Sequence, residues 1–159
     1  MSERASLTAM AARERQAIAD ALGIPPARVR VRFHESTEQF ERASGRPSFQ
    51  LGALIGDEIQ LAPLWLLRER GMLERALRRA LVHSMADAAL PERPGWVREG
   101  AAAYFADQAA VSSAGRQSCP TDDELQHPVS IGALGDALTR ARACFERQVA
   151  GGRDWRRVR

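Results

Sequence analysis

Apolar residues recur along this chain with two different periods, and the change of period divides it. Over residues 28–34, Val29, Val31 and Phe33 alternate with arginines, the period of two expected of a strand with one buried face. Over 130–150, Ile131, Leu134, Leu138, Ala141, Phe145 and Val149 recur at three- and four-residue intervals. That spacing predicts a long amphipathic helix, ended by Gly151 and Gly152.

The remaining segments fall on either side of this division. Leu7, Met10, Ala11, Ile18 and Leu22 predict a helix over 5–22, stopped by Gly23, after which Pro25 and Pro26 turn the chain. Ser36 with Gln39 three residues later forms a capping box that opens a short helix carrying Phe40 and ending at Gly45. Two apolar runs, 48–55 and 58–61, flank Gly56 and Asp57 and read as a β-hairpin. After Pro63 the pattern turns helical, with helices over 64–70, 72–90 and 96–109 and a proline-rich turn over 91–94. The stretch 121–124, Thr-Asp-Asp-Glu, is a second capping box. Segment 111–120 lacks a period and is expected to be a flexible loop. The fold class this predicts is α+β: a small mixed sheet, then a helical hairpin and a long C-terminal helix, in one domain over 1–159.

Length supports that organisation. A chain of 159 residues, 45% hydrophobic and 27% charged, buries a core without disulfides or a metal. No apolar run approaches the ~18 residues of a membrane span, and the N-terminal 22 residues lack the ~7 to 15 apolar residues of a secretory signal. The expectation is a soluble chain that stays in the cytoplasm as written, exported only if a longer precursor carries a signal. Cys119 and Cys144 are the only cysteines. Their spacing matches no zinc ribbon, and the sequence leaves open whether they stay free or pair in an oxidising compartment.

All 23 basic residues are arginine and asparagine is absent, a bias of a GC-rich coding sequence more than of a ligand. The net charge of +3 is scattered among acidic residues, so a nucleic-acid partner is not expected. Only 153–159 is a basic cluster, read as a solvated terminus.

The candidate chemistry lies in 77–105. On a helical wheel of 72–90, Leu73, Leu77, Ala80, Leu81, Ser84 and Ala88 share a face, and Glu74, Arg75 and Arg78 oppose it. Arg79 and His83, four apart, stack at the margin of the apolar face. Two histidines at that spacing can grip a zinc ion, and a glutamate directly after the first can deprotonate a metal-bound water. The motif is H-E-x-x-H; this chain reads Arg79-Ala80-Leu81-Val82-His83.

The segment resembles the gluzincin, or peptidase MA-like, metallopeptidases, and in particular compact bacterial members whose site reads roughly LRHELVH, a proline turn, then W-x-x-E-G-x-A-x-Y. The matching residues are Leu77, Arg78, Leu81, Val82 and His83, then Pro94, Trp96, Glu99, Gly100, Ala102 and Tyr104. The likeness extends more loosely through 43–47, 58–61, 118–120 and 143–144. It implies a zincin-like fold in which His83 is the second zinc ligand, Glu99 the third, and Gly100 allows close helix approach.

Two departures then decide the expected function. Arg79 replaces the first histidine ligand, and a guanidinium has no lone pair for a metal. Ala80 replaces the general base, whose proton transfer is worth roughly 10²–10⁴-fold in rate. The reading that follows is a catalytically degenerate domain, without cofactor, that binds a peptide or protein partner, with 58–61 as the sheet edge that pairs with it. Arg79 would replace the ion's charge against Glu99, whose burial alone would cost several kcal/mol. Asp87, one turn beyond His83, would hold the imidazole.

The alternative is an active metal-dependent hydrolase with zinc on His83, Asp87 and Glu99, with His127 as a further donor. It uses a second register, His83 to Asp87 on H-E-x-x-H, that spoils the scaffold matches and puts Ser84 at the base position. Plain structural roles stand beside these: His83 as a core-edge histidine, Glu99 as a solvated helix charge, Trp96, Tyr104 and Phe105 as core, and His34 and His127 as isolated surface groups.

Overall fold

The computed structural model describes residues 2–107 and 117–159. The chain forms two compact units, Met1–Met85 and Ala86–Arg159. Of the expected loop over 111–120, residues 111–116 lie outside the described residues, and 117–120 are neither helix nor strand.

The first unit carries the strands. Helix α1 (Glu3–Leu22) starts at Ser2, whose hydroxyl accepts the Ala5 N–H at 3.1 Å, and stops at Gly23 with φ 70°. Strand β1 (Arg30–Phe33), helix α2 (Thr37–Ser44), strands β2 (Gly52–Ile55) and β3 (Glu58–Leu61), helix α3 (Leu64–Glu69) and helix α4 (Leu73–Ala86) follow. At the start of α2 the Ser36 hydroxyl accepts the Gln39 N–H, but the Gln39 side chain accepts from Glu35 N–H one residue earlier than a full capping box requires.

The three strands make a mixed sheet in the order β1-β3-β2, with β1 parallel and β2 antiparallel to β3. Alternation sorts its faces. Val31 and Phe33 stand opposite Ile59 and Leu61, and the latter two are fully buried. Arg30 and Arg32 share the other face with Glu58, which Arg32 meets at 3.3 Å.

This order corrects one expectation: 58–61 is the central strand, so it is not an edge open to a partner. The hairpin occupies one side of β3, and β1, brought back through α2, takes the other. The first hairpin strand is also shorter than its apolar run. Ser48–Gln50 is a 3₁₀ turn, and Leu51 then adopts φ 66°, so the ladder begins only at Gly52.

In the second unit, α5 (Gly95–Ala106), α6 (Asp122–Gln126) and α7 (Ile131–Ala150) carry most of the structure. The predicted capping box of α6 forms in full between Thr121 and Glu124, and Ser130 caps α7. Helices α5 and α7 meet at Gly100, where a Cβ would stand 2.5 Å from the Ala141 carbonyl oxygen and 2.8 Å from the Phe145 Cβ. Cys119 and Cys144 are joined by a disulfide, their Cα atoms 5.8 Å apart.

The C-terminal segment departs from a solvated tail. Trp155 and Val158 are buried, and the Arg93 guanidinium donates to the carbonyls of Val158 and Arg156 at 3.1 and 3.2 Å. Two apolar residues among the arginines suffice to fasten it, while the Arg156 guanidinium stays outside, 4.8 Å from the Trp155 ring. Among the described residues no helix is long and apolar enough to cross a membrane.

Candidate functional site

Helix α4 carries three of the candidate residues. Arg79 and His83 are half-buried and one turn apart, and Ala80 between them is 4% exposed. Leu77, Ala80 and Leu81 of the apolar stripe are buried, but so are Ala76, Val82, Met85 and Ala86 off it, so the packing face of α4 is wider than the stripe. Ala88, assigned to the same stripe, is exposed.

It is exposed because the α-helix does not reach it. α4 ends at Ala86 and Asp87–Ala89 forms a 3₁₀ turn. Pro91 is the cause: it has no N–H to continue the ladder and forces Leu90 out of the α region, to φ −123° and ψ 51°. The wheel that placed Asp87 one turn beyond His83 therefore stops one residue short of it. The second register, which needs 83 and 87 on one α-helix, loses the same support.

Helix α5 carries Glu99, half-buried, then the buried Gly100 and half-buried Tyr104. The Tyr104 ring lies 5.0 Å from that of Phe105 and 5.6 Å from that of Phe145, with the Arg142 guanidinium 5.8 Å from its centroid. It belongs to the aromatic packing of the second unit, as do the buried Phe105 and Trp155. Trp96 is buried as expected.

The two outlying histidines have local partners. His34 Nε2 stands 2.5 Å from Gln60 Oε1, and Gln60 in turn donates to Glu58. His127, largely exposed, lies 3.2 Å from Asp123. Among the described residues no three of His, Cys, Asp or Glu stand together where they could hold a metal ion.

Some features went unread in the sequence. Glu14, 5% exposed, accepts two hydrogen bonds from Arg78, at 2.5 and 3.2 Å. Its signal was present: it sits one turn from both Met10 and Ile18 on the apolar side of α1. Arg140 binds Glu124 at 2.5 Å, and this hydrogen bond, aided by the Thr121 N–H, holds the Glu124 carboxyl below its ordinary pKa. A groove of about 540 Å³ opens in the first unit, bounded by α1, β1 and α4.

Compared with models of known families, with characterised proteins and with solved structures, the chain matches none.

Proposed function

We propose that this chain is a zincin-like, peptidase-derived domain that has given up metal and catalysis and binds a peptide or protein partner. The observation that carries this reading is the pattern on α4. Leu77, Leu81 and Val82, the positions that match the gluzincin scaffold, are buried, while the two positions such enzymes need for chemistry hold Arg79 and Ala80.

A zinc ion does not fit these residues. Of the two α4 side chains one turn apart, only His83 has a lone pair to give; Arg79 offers fixed positive charge and donor N–H groups. Ala80 has no proton to move. The element order supports the same ancestry: a small mixed sheet, then α4, a proline-containing turn and α5 with its Glu99-Gly100 pair, then a long final helix. A domain of this kind keeps recognition surfaces after its catalytic groups are lost.

Restoring the missing residues tests the reading. The double variant Arg79→His, Ala80→Glu should bind zinc in calorimetric titration where the parent chain gives no heat of binding. If the folded variant, checked by circular dichroism, takes up no zinc, the alignment with the metallopeptidases is wrong.

A further inference from the structure

We propose that the groove between α1 and β1 binds an extended peptide with apolar side chains at alternate positions and, on the same face, carboxylates six residues apart. This rests on the reading of the chain as a peptide-binding domain, and names a site and a partner chemistry for it.

The first observation is an edge. Among the described residues β1 is an outer strand, paired on one side only. Arg30 N–H donates to Asp57 at 3.4 Å and His34 N–H to Leu61 at 3.0 Å, so the even-numbered residues face β3. Backbone groups alternate along a strand, so those of Val31 and Phe33 face the other way. Their side chains line the groove. An added strand would find N–H and C=O partners along β1 and apolar seats beside them, which is how sheet edges take up peptides.

The second observation is the floor and the wall. Leu77 and Leu81 of α4 close the groove below, and Leu7 and Met10 of α1 stand across from β1, both left half-exposed. At about 540 Å³ it falls within the usual size of a ligand pocket. Alternate apolar side chains of a strand, all on one face, would cover Leu7 and Met10, which the fold leaves half-exposed.

The third observation is charge. The lining includes Arg4 and Arg15 and no acidic residue. The acids nearest in sequence are engaged elsewhere, Glu3 with Arg68 at 3.0 Å and Glu14 with Arg78. Arg15 reaches only the Ala27 carbonyl, at 3.5 Å, and its buried Nε has no acceptor. A buried donor without an acceptor costs free energy that a ligand carboxylate would recover. Arg4 and Arg15 are three turns apart on one face of α1, about 16 Å at 1.5 Å per residue. An extended chain covers about 20 Å in six residues at ~3.3 Å each, the even spacing that keeps both carboxylates on the apolar face and within reach of the two long arginine side chains.

The test uses the full chain and a fluorescein-labelled heptapeptide, Glu-Thr-Val-Thr-Val-Thr-Glu, whose carboxylates and valines share one face of the strand, in fluorescence polarisation. Saturable binding is expected, weakened about tenfold or more, the equivalent of one charge-assisted hydrogen bond, when both glutamates become glutamine or when Arg15→Gln is introduced. N-methylation of every internal amide of the peptide should abolish binding, and Leu7→Glu should do the same by placing a like charge in the groove. The peptide changes leave the protein intact, so they decide the matter even if a variant folds poorly. Absence of saturation, or equal binding of the N-methylated peptide, overturns the proposal. So does decanoate binding that Leu7→Glu blocks when the peptide does not bind, since the groove would then take an amphiphile. Zinc uptake by the Arg79→His, Ala80→Glu variant is read separately, so a failed groove and a failed ancestry give different results.

Discussion

The buried carboxylate of Glu14 on α1 is held by the guanidinium of Arg78 on α4, through two hydrogen bonds between residues 64 positions apart in the chain. Glu14 is almost wholly removed from water and Arg78 about one-third exposed. Removing only the arginine would leave a nearly buried carboxylate whose remaining ion pair is with the exposed Arg13 at 3.8 Å. Arg78→Met should therefore cost about 3 kcal/mol in urea unfolding, and the double change Arg78→Met, Glu14→Leu should recover most of it. A double variant as unstable as the single one would show that the pair stabilises the fold in its own right.

Gly100 is expected to resist substitution where other glycines do not. An alanine there would drive its methyl into the backbone of α7 at Ala141, at a cost of about 1–3 kcal/mol. Gly135 of α7 has nothing within 4 Å of its would-be Cβ, so Gly135→Ala should stabilise by about 0.5–1 kcal/mol through helix propensity alone. Thermal melts of the two variants should move in opposite directions.

The disulfide between Cys119 and Cys144 closes a loop of 25 residues in the second unit. By loop entropy, reduction should lower stability by about 3 kcal/mol, read as a lower melting temperature in dithiothreitol. The same shift absent from a Cys119→Ser, Cys144→Ser variant would assign it to this bond; an unchanged parent melt would show that the bridge adds nothing. Such a bond persists in an oxidising compartment.

Glu124 sets a pH dependence. Its folded pKa is depressed by Arg140, so the contact is fully present above the ordinary carboxylate pKa and is lost as pH falls through the lower folded value. NMR titration of the Glu124 side chain should give a midpoint below the ordinary carboxylate value, and Arg140→Gln should raise it toward that value. A midpoint at the ordinary value in the parent chain would contradict the contact.

Local signals were legible wherever one segment decides its own structure. The period of Val29, Val31 and Phe33 marked β1, the Thr121–Glu124 box marked α6, and the spacing from Ile131 to Val149 marked α7. Pairing order was not legible, because nothing within residues 58–61 says that β1 will claim the second side of β3. Apolar periodicity alone extends α4 to residue 90, whereas the α-helix ends at Ala86, four residues ahead of the restriction that Pro91 imposes on Leu90. The α4 candidates were readable from spacing and resemblance, whereas the groove was not. It arises where half-exposed residues of α1 and β1 fail to meet, and that is a property of packing.

On the proposed reading, Arg79 and Ala80 stand where a metal ligand and a general base have been lost. Zinc analysis of the purified chain, after dialysis against zinc and removal of the excess, tests it most directly. The parent chain should carry no stoichiometric zinc, and the Arg79→His, Ala80→Glu variant one ion per chain. A full equivalent of tightly held zinc in the parent chain would contradict it.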